Sequence, residues 1–168
     1  MNLSNVTFEY LYKPDFAEFS ERIFNILADN MGAIAPTGNT REEDYNCWLG
    51  CVTDGLKHDE RQIVLIRAGD DIIGYFQYCA NAENFIMEEI QFIPEYHGKG
   101  VFRKLYGFLI ERMGEDIKCV EAYASIKNAK SIGILERFGL KNIGLNKNGR
   151  SYHFKGAYCD LLNWHKNA

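Results

Sequence analysis

The stretch from Asn84 to Ser125 constrains the fold more than any other part of the chain. It opens with an apolar run, NFIMEEIQFI (84–93), passes through PEYHGKG, continues as an amphipathic stretch, and ends in a second apolar run, KCVEAYAS (118–125). The spacing predicts a helix over 99–113 between two strands. Two strands joined through a helix are too far apart in sequence for a hairpin. They pair in parallel, with a right-handed crossover.

The flanking sequence is of a different kind. VTFEYLY (6–12) reads as a first strand, and Phe16, Phe19, Ile23, Ile26 and Leu27 lay an apolar stripe along a helix over 14–31. GAIAPTGNT breaks that pattern, and Thr40 before REED is an N-cap for a second helix over 41–57. QIVLIRA (62–68) and DIIGYFQYCA (71–80) meet across Gly69-Asp70, a hairpin signal, and the strand at 84–93 continues the meander. Asn128 opens a helix over 128–138, with Gly139 as its C-cap. LKNIGL and SYHFKGAYCDLLNW are expected as final strands across the turn NKNG. The order β-α-α-β-β-β-α-β-α-β-β describes an α/β fold with a mixed, partly antiparallel sheet around a central β-α-β unit. We expect a single domain over 1–168.

Bulk properties exclude several classes. A net charge of −4 over 168 residues carries no basic surplus for nucleic acid. No apolar run is long enough to span a bilayer, and MNLSNVTFEY lacks the basic and apolar regions of a signal peptide, so no membrane is expected and the cytoplasm is the expected location. The five cysteines lack close paired spacing and read as reduced thiols. Cys47, Cys51 and His58 lack a fourth ligand, so the two thiols are expected as small buried apolar side chains and no metal is expected.

The functional signal is the turn. A helix N-terminus presents unpaired backbone N–H groups and partial positive charge. Gly98 and Gly100 leave that end uncovered, and His97, Lys99 and Arg103 add basic character, which suits a phosphate or pyrophosphate. The turn is not a GxxxxGK[ST] loop. A dinucleotide fingerprint would need a third glycine where Arg103 stands, although Glu121 lies where a ribose-binding acid would follow.

The segment from His97 to Phe102, HGKGVF, after IQFIPEY, resembles the [RQ]-x-x-G-x-[GA] signature of the GNAT family of N-acetyltransferases. NAKSIGILERFGL, Asn128 to Leu140, is similar to the family's second signature, N-x-x-A-x-x-x-Y-x-x-x-G-F. The resemblance implies an acyltransferase that moves an acetyl group from acetyl-coenzyme A, as co-substrate, to a primary amine by direct attack in a ternary complex. It implies that backbone groups of His97, Gly98, Lys99, Gly100, Val101 and Phe102 cradle the pyrophosphate. Ile90 and Phe92 would hold the pantetheine arm, and Asn128 and Ser131 would lie near the thioester. His97, Phe102 and Leu135 depart from the family pattern; Leu135 stands where a frequent Tyr serves as general acid.

Direct attack needs a base for the amine proton. Glu88 matches the position from which the family's acids act, with Glu89 second. Adjacent strand residues face opposite sides, so one of the two faces any given cleft. Tyr123 on the next strand is a further candidate, and Tyr75, Tyr78, Tyr152 and Tyr158 are candidates for an aromatic lining. By resemblance, the loop over 31–41 and the hairpin tip near 146–150 enclose the acceptor. The acceptor is a small-molecule amine or a protein amine, and a homodimer stays open. Two other readings remain: a non-catalytic acyl-coenzyme A-binding module, and a nucleotide-binding domain.

Overall fold

The computed structural model describes residues 3–58, 60–114 and 116–167. Strands β1 (Val6–Tyr10), β2 (Arg61–Ala68), β3 (Asp71–Ala80), β4 (Asn84–Phe92), β5 (Cys119–Ser125), β6 (Lys141–Leu145) and β7 (Ser151–Ala157) follow one another in hydrogen-bonded order β1-β2-β3-β4-β5-β7-β6. Helices α1 (Phe16–Met31), α2 (Arg41–Gly55), α3 (Val101–Ile110), α4 (Ala129–Arg137) and α5 (Tyr158–Asn167) complete the described elements, with short 3-10 turns between some of them. β1 pairs antiparallel with β2, and β5 and β6 each pair antiparallel with β7. β4 and β5 pair in parallel from Asn84↔Cys119 to Met87↔Ala122, as the helical crossover requires. The sheet is mixed, as the element order predicts.

The helix over 41–57 starts where its cap signal stands. Thr40 Oγ1 accepts from the Glu43 N–H at 3.2 Å, and Glu43 Oε2 accepts from the Thr40 N–H at 2.8 Å. This reciprocal box satisfies two of the N–H groups that a helix start leaves unpaired. The helix buries Val52 against Ile23, Ile26, Ile63 and Leu65, with Trp48 and Leu49 partly buried beside them. Cys47 and Cys51 lie on its other face and are exposed, so they are not the buried side chains that their apolar character suggests.

The C-terminus differs from expectation. SYHFKGAYCDLLNW is not one strand: β7 ends at Ala157 and α5 begins at Tyr158. The strand alternation stops there. Tyr158 and Leu161, three apart, are both buried, and Trp164 extends the same helical spacing.

By backbone contacts the chain divides into two compact units. The first joins the chain up to Gln77 with Glu89–Val101; the second joins Tyr78–Glu88 with the chain from Phe102 onward. In the first, α1 and α2 bury their apolar faces with Ile63, Leu65 and Tyr75 of β2 and β3. In the second, Leu105, Tyr106, Val120, Phe154 and Leu161 are fully buried. Burial of side chains of this size contributes about 1.5–3 kcal/mol each.

Candidate active site

Most of the residues singled out above for coenzyme binding belong to the first unit. Gly98 and Gly100 hold φ of +70° and +80°, a region that residues with a Cβ enter at a cost. Gly98, Lys99 and Gly100 are exposed, and a Cβ built on Gly98 meets nothing within 4 Å. Val101, which opens α3, is buried at 1% exposure and anchors the end of the turn. The result is an open, left-handed backbone turn that delivers the chain into a ten-residue helix. Its N–H groups and the helix dipole suit a pyrophosphate, so the turn fits the phosphate end of a coenzyme A.

The basic residues around the turn are used differently from one another. His97 Nε2–H donates to the Phe92 carbonyl at 2.9 Å, tying the turn back onto the end of β4. Arg103, in the second unit, donates to the His165 carbonyl near the end of α5 at 2.8 Å, where a cation suits the helix terminus. Lys99 remains exposed on the turn itself.

β4 carries a polar cluster in the same unit. The Ile93 N–H donates to Ile73 of β3 at 2.8 Å, so strand alternation turns the backbone groups of Phe92 and Ile90 to the other edge. The Phe92 carbonyl accepts from Asn30 Nδ2 of α1 at 2.8 Å as well as from His97. The same Asn30 nitrogen donates to Gln91 Oε1 at 2.8 Å, and Gln91 Nε2 donates to Glu89 Oε1 at 2.6 Å. The Ile90 N–H also donates to the Glu89 carboxyl.

Loss of water around Glu89 raises its pKa from 4.5 to about 7, against the two hydrogen bonds, which favour the carboxylate. Beside it the Tyr75 hydroxyl is buried at 0% exposure and has no hydrogen-bond partner. Burial, and then the neighbouring Glu89 charge, push the Tyr75 pKa far up. A carboxyl that titrates near neutrality beside an unpaired buried hydroxyl is an arrangement suited to proton transfer.

The remaining candidates belong to the second unit. Glu88 is half-buried. Tyr123 is 48% exposed and stacks on His153, with ring centroids 4.5 Å apart. His153 Nε2 and Lys155 Nζ lie 2.9 and 2.7 Å from the Glu121 carboxylate. Lys155 first, and His153 with it, hold that carboxyl below its usual range. Glu121 is thus engaged by Lys155 and His153, where a dinucleotide site needs a free ribose-binding acid. Tyr78 and Tyr158 are buried and Tyr152 is half-buried.

Asn128 caps α4: its Oδ1 accepts from the Ser131 N–H at 3.0 Å, leaving its amide nitrogen to serve another partner. Leu135 is a buried residue of the same helix. Phe102 packs with other aromatic side chains of the second unit. Its ring stacks on Phe138 at 5.2 Å and contacts Tyr106 and Trp164, so it docks α5 onto α3 and α4.

Asn30 and Gln91 carry no sequence signal. They stand 61 residues apart in chain, and only the packing of α1 on β4 joins them.

The model of the Acetyltransferase (GNAT) family matches residues 20–140. That span includes most of α1 and all of α2, the glycine turn and α4. The fold is similar to an acetyltransferase from Thermus thermophilus, with 15% identity, 94% of this chain and 99% of that chain covered, and a TM-score of 0.71. It is similar to the PaiA N-acetyltransferase of Thermoplasma acidophilum in complex with coenzyme A, at 15% identity, 91% and 99% coverage and a TM-score of 0.70. It is also similar to a spermidine N-acetyltransferase of Vibrio cholerae in complex with coenzyme A and spermine, at 17% identity, 95% and 99% coverage and a TM-score of 0.61. No curated protein matches the chain significantly. The family match takes in the turn whose two left-handed glycines open a helix, and the chain belongs to the GNAT family of acetyltransferases.

Proposed function

We propose that the protein transfers an acetyl group from acetyl-coenzyme A to a primary amine by direct attack, with Glu89 as the base. The observation that carries this reading is the Glu89 carboxyl on β4, held by Gln91 Nε2 at 2.6 Å, where loss of water raises its pKa to about 7. Near neutral pH such a group is part ionised and still basic enough to take a proton from an ammonium. A carboxylate titrating at its ordinary value would be ionised but a weaker base. Glu88, adjacent in sequence, is the second candidate.

When bound, acetyl-coenzyme A supplies an activated acetyl group. The backbone from His97 to Phe102 holds its pyrophosphate, and Ile90 and Phe92 of β4 hold its arm. By the family resemblance, Asn128 and Ser131 serve the thioester end. Glu89 takes one proton from the incoming ammonium. The acetyl carbon then gains a bond to nitrogen and loses its bond to sulfur, and the second proton that nitrogen sheds as the amide forms passes to the departing thiolate or to solvent. The leaving thiolate is stable enough to depart without the Tyr that Leu135 replaces. The buried Tyr75 hydroxyl stands beside Glu89 and is part of that carboxyl's surroundings.

The acceptor is a small-molecule amine. The likeness to a spermidine acetyltransferase puts polyamines first in a screen. The test is thiol release from acetyl-coenzyme A over an amine panel containing spermidine and spermine, with calorimetry of coenzyme binding alongside. Turnover with a saturating amine supports the reading. Tight coenzyme binding with no turnover over the panel would replace it with a non-catalytic acyl-coenzyme A-binding module.

A further inference from the structure

We infer that Asn30, on α1, is a positioning residue for Glu89 and acts through the side-chain amide of Gln91. The Phe92 carbonyl can only accept, so the Asn30 atom 2.8 Å from it is the amide nitrogen. That nitrogen's second proton goes to Gln91, so the Gln91 atom 2.8 Å away is the amide oxygen. With its oxygen committed, Gln91 can only present its nitrogen to Glu89, at 2.6 Å. One backbone carbonyl thus fixes the orientation of two amides in series, and the second amide fixes a carboxylate.

Gln91 is 7% exposed, so water does not compete freely for its amide. A Gln91 released from Asn30 is free to rotate and turn its oxygen toward Glu89. A carboxylate facing that oxygen loses a donor and meets a like partial charge. Its proton affinity then rises.

From β3, Tyr75 stands beside Glu89. At the turn, His97 donates to the carbonyl that Asn30 uses. On α1, Arg22 is held by the Ile72 carbonyl at 2.9 Å, and Asp29 pairs with Arg41 at 2.9 Å. None of these replaces the donation from Gln91.

The catalytic meaning of this chain of bonds rests on Glu89 being the base. The experiment separates the two claims. The carboxyl carbon of Glu89 is titrated by NMR in the full-length protein, with Glu89→Gln for assignment, and in Asn30→Ala and Gln91→Met. Both variants should move the titration upward by about one pH unit, the size expected for one lost hydrogen bond to a charged group. Gln91→Met removes the donor while leaving Asn30 on Phe92, so it tests the chain even if Asn30→Ala folds poorly. An unmoved titration in Gln91→Met, or in a folded Asn30→Ala, would overturn the inference. The pH profile of kcat/KM is recorded on the same proteins. If the carboxyl titration moves and the rate profile does not, Asn30 still positions Glu89, and the assignment of Glu89 as base fails instead.

Discussion

Glu89 Oε1 accepts from the Gln91 side-chain amide across 2.6 Å, and this bond links the carboxyl to α1 through Asn30. The bond favours the charged form, yet desolvation outweighs it and leaves the group titrating at about 7. The first prediction follows from that balance. Glu89→Gln should lower kcat roughly 100- to 10,000-fold, the range for losing a general base. It should leave coenzyme affinity unchanged and remove a pH-rate limb near 7. Glu88→Gln should keep that limb. Steady-state rates from pH 5.5 to 9 measure both, and a limb that persists in Glu89→Gln but disappears in Glu88→Gln moves the role to Glu88.

The same carboxyl sets a pH dependence of stability. Its folded pKa lies above its unfolded value, so the native state binds more protons than the unfolded chain between about 4.5 and about 7. Stability from this group is fully present below the lower value and is lost as pH rises through the upper one. The loss is about 3 kcal/mol at most. Glu89→Gln stays neutral at all pH values, so its advantage over the parent should grow from pH 5 to pH 8. Denaturant midpoints at those two values check this; a constant difference would mean that the carboxyl is well solvated.

Much of this was legible in local patterns. Thr40 and Glu43 stand three apart and form their box, the glycine turn opens a helix, and the strand-helix-strand spacing gives the parallel β4–β5 pair. Those features are decided by residues close in sequence. The environment of Glu89 was not legible, because Asn30, Tyr75 and Gln91 meet only in tertiary structure, and periodicity alone leaves Glu88 and Glu89 equal. The strand expected through Trp164 illustrates another limit. Apolar residues at 158, 161 and 164 fit a helix, but they directly follow a true alternating strand, and only the aromatic cluster that receives Trp164 decides between the two.

That cluster makes its own prediction. The Trp164 ring lies 4.4 Å from Phe138 and 5.7 Å from Tyr106, centroid to centroid. Trp164→Ala should destabilise the protein by about 3 kcal/mol, within the range for truncating a packed aromatic residue. Phe102→Ala should act on the same contacts, so the double variant should cost less than the two single costs added. Additive losses by denaturant unfolding would show that Phe102 serves the turn and not α5.

Tyr75→Phe separates stability from function. The hydroxyl is buried without a partner, and an unsatisfied buried polar group costs about 1–3 kcal/mol. Its removal should therefore raise stability, and the change beside Glu89 should show in the pH dependence of kcat. A variant that is both more stable and fully active at every pH would assign the hydroxyl no part in turnover.

The glycine turn is tested at Gly100, where φ is +80° and the nearest atom to a built Cβ is Leu3 Cδ1 at 3.9 Å. Space is therefore not the obstacle to a side chain there; conformation is, at about 1–2 kcal/mol for a residue with a Cβ. Gly100→Ala bears that cost alone and should weaken coenzyme A binding modestly. Gly100→Glu adds a carboxylate against the pyrophosphate and should abolish binding by calorimetry, with a thermal midpoint close to that of the alanine variant. Because the two variants share the same backbone strain, the difference between their affinities isolates the charge. Equal affinities would mean that the phosphates do not sit at this turn.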